Sequence, residues 1–304
     1  MLPDAAYAAA LAAVEGVPPA RLRRLLEARP AAEAWSTLAG SGRFTAAAAR
    51  VDVAGGWDAC RRAGIEVLVA GAQRYPQALA GDPDAPPVLF ALGDPGVVDG
   101  RPRVAVVGTS AATRYGLGVA AQLGAELTAA GVTVVSGLAP GIEGAAHEGS
   151  TAARRSAPRQ SGPPVAVATD GLPAPHAPGR LWARVAEAGV VLSASAPGTA
   201  GPRSARHQRL VAALADVVVV VECHTRGRAL AVVRAAAGRG VAVGAVPGSV
   251  RSPASAGAND LLADGCFVVR DTADVLVALG LARAGDVPVR PGPRAPAGGW
   301  ARER

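Results

Sequence analysis

Two glycine-containing stretches combine hydroxyl side chains with backbone that opens onto helical sequence, an arrangement suited to holding anions. The first, Val107-Gly108-Thr109-Ser110-Ala111-Ala112-Thr113-Arg114-Tyr115-Gly116, leaves a β-branched run and enters a stretch of helical length. Gly108 and Gly116 let the backbone approach an anion, Thr109, Ser110 and Thr113 offer hydroxyl donors, and the following helix N-terminus attracts negative charge. The second, Ser136-Gly137-Leu138-Ala139-Pro140-Gly141-Ile142-Glu143-Gly144-Ala145-Ala146-His147, repeats the plan with Ser136, Gly137 and Gly141. Two such mouths together suit an extended, phosphate-bearing ligand. Taken singly, the first is equally an ordinary helix cap, and the pair is equally two turns that reverse the chain. The spacing is neither Gly-x-Gly-x-x-Gly nor Walker A, so neither a dinucleotide fingerprint nor a P-loop is supported.

A set of arginines supplies charge for the same edge. Arg203, Arg206 and Arg209 precede or open one predicted helix, with His207 among them, and Arg226 and Arg228 follow the next predicted strand. Together with Arg114 they would form a rim that neutralises a phosphate backbone and makes affinity fall with salt. Each arginine alone reads as part of a solvated basic face. Base stacking has few candidates, only Tyr115, Trp182 and Phe90 lying near these loops, and sequence-specific readout is not implied.

Catalytic readings find little support. His147, His176, His207 and His224 make no metal-ligand spacing, and there is no Gly-x-Ser-x-Gly elbow. His147, on the helix after the second loop, is expected to cap or order that loop. Cys60, Cys223 and Cys266 are odd in number, widely separated and without Cys-x-x-Cys spacing, which argues against disulfides or a zinc knuckle and suits a reducing cytoplasm. Cys223 and His224 are adjacent in a turn and are not expected to face each other. No cofactor or metal is expected.

The elements that must position these loops follow from hydrophobic runs. Short β-branched segments at 104–107, 132–135, 165–168, 190–193, 217–221, 241–246 and 266–269 alternate with helical stretches near 115–130, from 144, 181–188, 206–214 and 229–237. Continuous apolar strands separated by helices mark strands buried on both faces, hence an α/β, extended Rossmann-like, doubly wound and mostly parallel sheet. In such sheets ligands bind outside the carboxyl ends of the strands, where both loops lie. Ahead of it, 5–14, 20–28, 31–38 and 45–50 read as helices punctuated by Gly and Pro, a small N-terminal all-α unit of helix-hairpin or SAM type. Residues 82–100, rich in Pro, Gly and Asp, read as a connector. The expected division is a helical domain over 1–65, a Rossmann-like core over 66–282 and a disordered Pro/Gly/Arg-rich tail over 283–304.

Composition sets outer limits. With 304 residues, one large domain or two smaller ones are available, and half of the residues are hydrophobic while aromatics are only 3%, so the core must be small and aliphatic. A formal charge of +7 favours polyanionic partners. Every basic side chain is Arg. That choice suits bidentate phosphate contacts, but a general compositional bias that also inflates Ala, Gly and Pro accounts for it more simply. The start lacks a basic segment, and the longest strongly apolar run, Val217 to Val221, is closed by Asp216 and Glu222, so neither a signal peptide nor a membrane span is expected.

The two loops, together with Tyr75-Pro76-Gln77-Ala78-Leu79, Pro86-Pro87-Val88-Leu89-Phe90-Ala91-Leu92-Gly93, Val246-Pro247-Gly248 and Ser255-Ala256-Gly257-Ala258-Asn259-Asp260-Leu261-Leu262, resemble the DNA-processing protein A (DprA/Smf) family over roughly residues 5–270. The resemblance implies a cytoplasmic single-stranded DNA-binding protein without catalytic turnover, acting in DNA uptake, natural transformation and recombination by loading the RecA recombinase, and forming a homodimer. The family's first loop usually carries Gly-Ser-Arg, and here the Arg position is Ser110, with Arg114 the nearest arginine. The second loop's Arg-Gly-Ile-Asp is Pro140-Gly141-Ile142-Glu143, and an Arg-Asn-Arg is His207-Gln208-Arg209. A later Ser-Gly-Ser/Ala and Thr-Ala pattern is replaced by Arg226-Gly227-Arg228 and Ala231-Val232. The family's C-terminal winged helix is expected to be lacking. The competing reading is a nucleotide-binding or nucleotide N-glycosidic-bond-cleaving Rossmann protein similar to lysine-decarboxylase-like phosphoribohydrolases, although that family's Pro-Gly-Gly-x-Gly-Thr loop has no match, Pro247-Gly248-Ser249-Val250 stopping short. A small-nucleotide sensor using the same cleft is a third.

Overall fold

The computed structural model describes residues 2–40, 42–173, 180–199 and 205–282. Arg203, His176 and the stretch from 283 fall outside them. Five helices open the chain: α1 (Asp4–Ala13), α2 (Pro19–Ala28), α3 (Ala31–Gly40), α4 (Thr45–Ala48) and α5 (Val53–Arg62). Strands β1 (Ile65–Val69) and β2 (Val88–Gly93) follow, and then β3 (Arg103–Val107), α6 (Arg114–Ala129), β4 (Thr133–Gly137), α7 (Ile142–Ser156) and β5 (Val165–Ala168). The chain continues through α8 (Leu181–Ala188), β6 (Val190–Ser193), α9 (Ala205–Ala213), β7 (Val217–Val220), α10 (Ala229–Ala237), β8 (Ala242–Ala245), α11 (Pro253–Ala263), β9 (Phe267–Val268) and α12 (Thr272–Ala278).

The strands form one sheet in the order β1-β2-β6-β5-β4-β3-β7-β8-β9. From β6 to β9 all pairings are parallel, and only β1–β2 and β2–β6 are antiparallel. The parallel, doubly wound architecture expected from the apolar runs is therefore present. Successive side chains of a strand point to opposite faces. Val104 and Val106 pack under α6 and α7 with Leu123, Leu127 and Ile142, while Ala105 and Val107 pack on the other face with Leu210, Val211 and Val232 of α9 and α10. Leu11, Leu22, Leu38 and Cys60 of the N-terminal helices share a core with Val88 and Phe90 of β2 and Ala166 of β5.

Residues 82–100 are more than a connector. Their prolines and glycines surround Val88 to Ala91, which are fully buried in β2 beside β1 and β6. Helix α5 was hidden by Gly55 and Gly56 in its first turns, although Asp52 caps it by accepting from Gly55 N at 2.9 Å. Helix α12 and strand β1 were likewise not expected, and α4 stops at Ala48 rather than Arg50. The turn at 82–85 is strapped down by arginines from three elements. Arg239, after α10, reaches Asp82 at 2.7 Å, Arg209 of α9 reaches Asp84 at 3.2 Å, and Arg23 of α2 donates to the Pro83 carbonyl at 3.1 Å.

Candidate functional site

Strand order reverses at β3: β4 and β5 are laid down on one side of it, β7 and β8 on the other. A crevice is expected outside the carboxyl ends of the strands at such a switch point. A cavity of about 280 Å³ lies there. Its walls are Gly108, Thr109 and Ser110 after β3, Ala139, Pro140 and Glu143 after β4, Thr169 and Asp170 after β5, Gly227 and Arg228 after β7, and His207 and Gln208 of α9.

The loops are fixed to one another through backbone. Thr109 N–H donates to the Glu222 carbonyl at 2.8 Å, and the Thr109 carbonyl accepts from Ile142 N–H at 3.2 Å. This contact needs glycine at 141, which has φ +86° and whose side chain, if it had one, would overlap Thr109 and Ser110. Glu222 is 1% exposed, and its carboxylate accepts from Thr113 N–H at 2.9 Å and from the Thr113 hydroxyl at 2.6 Å. Thr113 in turn caps α6 by accepting from Gly116 N–H at 3.2 Å, and Gly116 is bare because a Cβ there would strike the Glu222 carboxylate. In the second loop the Glu143 carboxylate folds back to accept from Ala139 N–H at 3.2 Å over the surface of Gly137.

Of the residues singled out from sequence, Gly108, Thr109, Ser110, His207 and Arg228 come together on the cavity wall. Gly141 buttresses it. Thr113 and Gly116 are clasped around Glu222, and Arg114 is exposed at the start of α6. Ser136 is fully buried and donates to the Val106 carbonyl at 2.6 Å, so its hydroxyl serves the sheet. His207 Nε2 lies 3.0 Å from the Val167 carbonyl. Arg206 lines a small recess beside Ala194 and Ser195 next to the main cavity. Arg209 points the other way, toward Asp84, and Arg226 is exposed in the loop after β7.

His147 corrects an expectation. It lies within α7 rather than at its end, it is fully buried, and neither ring nitrogen has a hydrogen-bond partner among the described residues, so it does not cap the loop. Burial pushes its pKa down to about 4, the Ser136 backbone pulling weakly the other way without hydrogen-bond geometry, and the ring is neutral at physiological pH. Burial likewise pushes the Cys223 thiol up to about 11, with Asp260 adding to the effect, so it stays protonated and a poor nucleophile. Phe90 is core and Trp182 is partly buried against it, which leaves Tyr115, half exposed and with its hydroxyl donating to the Pro247 carbonyl at 2.9 Å, as the surface aromatic of the three. Among the described residues no cluster of three His, Cys, Asp or Glu side chains could hold a metal.

Glu222, Asp170 and Gln208 were not singled out from sequence. The position of Glu222, immediately after the most apolar run in the chain, was the available signal: an acid at the carboxyl end of a central strand sits at the crevice.

Comparison with known proteins places this geometry. The family model of DNA recombination-mediator protein A matches residues 66–280. A protein described as putative DNA processing protein DprA from Mycobacterium tuberculosis (strain ATCC 25618 / H37Rv) is 43% identical over 218 residues, which cover 68% of this chain and 53% of that protein. The chain thus spans about half the length of that curated relative. The X-ray structure of DNA processing protein A from Streptococcus pneumoniae superposes with a TM-score of 0.72 at 25% identity, over 90% of this chain and 97% of that one. A structure of DNA processing protein A from Helicobacter pylori, described for its single-stranded DNA binding mode, shares the fold with a TM-score of 0.60 at 23% identity, over 71% of this chain and 95% of that one.

Proposed function

The chain belongs to the DNA recombination-mediator protein A family, and from that premise we propose that it binds single-stranded DNA through the crevice at the β3 switch point and acts in natural transformation and recombination as a mediator that loads RecA. The observation that carries this reading is the joined pair of glycine loops. Backbone N–H groups and the hydroxyls of Thr109 and Ser110 line one cavity with Arg228, giving donors for a phosphate in a site already held in shape. The family's loop arginine is replaced by Ser110, and Arg228, from the loop after β7, supplies a positive charge on the same wall. Arg206, Arg226 and Arg114, exposed nearby, extend the charge along the path of a strand. No turnover is part of this reading, and the protonated, buried Cys223 thiol accords with that. Under the same reading the protein acts as a homodimer, with residues 66–282 as the DNA-binding core and 1–65 as a helical packing unit.

Fluorescence anisotropy of a labelled single strand, titrated at low and moderate salt with duplex DNA as competitor, tests the proposal. Preferential, salt-sensitive binding to the single strand is expected. Absence of binding at low salt defeats it, and tight binding of a mononucleotide without DNA binding would put the small-nucleotide sensor in its place.

A further inference from the structure

The cavity has two chemically different sides. The β3 and β7 loops present donors: the Gly108–Ser110 backbone, two hydroxyls and Arg228. The β4 and β5 loops and α9 present acceptors: the carboxylates of Glu143 and Asp170, and Gln208, whose Oε1 is buried with no partner among the described residues. One Glu143 oxygen accepts from Ala139 N–H, which fixes the carboxylate in the wall. A phosphate is attracted to the first side and repelled by the second. A nucleotide entering the cavity must therefore turn its phosphate to Thr109, Ser110 and Arg228 and its base to Glu143, Asp170 and Gln208.

Bases differ in what they can offer to acceptors. Cytosine, adenine and guanine carry exocyclic amino donors, whereas thymine places the O4 carbonyl where cytosine has its amino group. A thymine facing a wall of carboxylates would bring acceptor against acceptor, and a desolvated polar group left without its partner is costly. Resting on the single-stranded DNA reading above, we propose that this cavity receives a base bearing an exocyclic amino group and discriminates against thymine. The protein then binds single strands with a compositional preference that its phosphate contacts alone would not produce.

Oligo-dC, oligo-dU and oligo-dT of about 15 nucleotides, within the span of such grooves, separate the terms. Cytosine and uracil differ in the 4-position amino or oxo group and the accompanying ring N–H, and dU against dT isolates the methyl group. At one neutral pH and one salt concentration, dC is expected to bind at least about fivefold more tightly than dU or dT, with dU and dT alike. Glu143→Gln keeps an oxygen for Ala139 N–H and adds an amide donor, so it should narrow the gap by strengthening dU and dT, and Asp170→Asn provides the same comparison should the first variant fold poorly. Equal binding of all three oligonucleotides by the unaltered protein, or tighter binding of dT, overturns the inference while leaving single-stranded DNA binding intact. Failure of every oligonucleotide to bind at low salt overturns the underlying reading as well.

Discussion

The Glu222 carboxylate holds Thr113 by both its backbone N–H and its hydroxyl, at 2.9 and 2.6 Å, across 109 residues of sequence. This acid is buried without a basic partner at hydrogen-bond distance, compensated by loop donors. Its presence explains why the loop needs a hydroxyl at 113 and no side chain at 116.

Glu222→Ala removes both acceptors and leaves Thr113 N–H without its partner. A loss of about 1–3 kcal/mol in unfolding free energy is expected, together with weaker single-strand binding because the first loop loses its shape. Denaturant unfolding paired with anisotropy measures both. Wild-type values for both would mean that Glu222 does not hold the loop.

Gly141→Ala forces a side chain into a left-handed backbone conformation and against Thr109 and Ser110. The backbone conformation alone costs about 1–3 kcal/mol in a non-glycine residue. The variant should melt earlier and bind DNA less well, whereas Gly118→Ala, on open helix surface, should not. Equal melting of the two variants would contradict the packed arrangement of the loops.

Arg228 and Arg209 separate a binding charge from a structural one. Arg228→Ala should weaken binding to every single strand and lower the slope of log affinity against log salt by about 1. Arg209→Ala breaks a partly exposed pair with Asp84, whose side chain is 40% exposed, so it should cost no more than about 1 kcal/mol of stability and leave the slope unchanged. Interchanged results would move the DNA path to the other face of α9.

His147 makes stability depend on pH. Its folded pKa is depressed from 6.5 to about 4, so between those values the unfolded chain holds a proton that the native state does not. The histidine's effect on stability is nil above its unfolded pKa, and as pH falls from about 6.5 to 4 it should cost up to roughly 3 kcal/mol. His147→Leu should flatten this acid limb of the unfolding curve. An equally steep decline in the variant would assign it to other groups.

Much of the core was legible because its strands are buried on both faces and read as unbroken apolar runs. Strand β5, helix α8, strand β6 and helix α10 fall where the runs at 165, 181, 190 and 229 placed them. Strand β2 was obscured by its surroundings: Pro86, Pro87 and Gly93 bracket six strand residues, and composition over a wider window follows the brackets. The meeting of the two loops was readable from strand-then-glycine order, since parallel topology brings such exits to one edge. The direction of each side chain was not. Arg206 and Arg209 are three apart on α9 yet serve a recess near the cavity and the 82–85 turn respectively, because the rotation that α9 adopts is set by Leu210 and Val211 entering the core. The roles of Glu222 and Ser136 depend on partners 109 and 30 residues away, contacts that no local pattern records.

Thr109 donates through its N–H to the exit of β7 and accepts through its carbonyl from the start of α7, so a single peptide segment links three strand ends. The site is consequently preorganised: the conformational entropy of aligning its donors is lost when the chain folds rather than when a ligand arrives. Substitutions in the three loops are then thermodynamically coupled, and their effects on affinity will not add as those of independent contacts do.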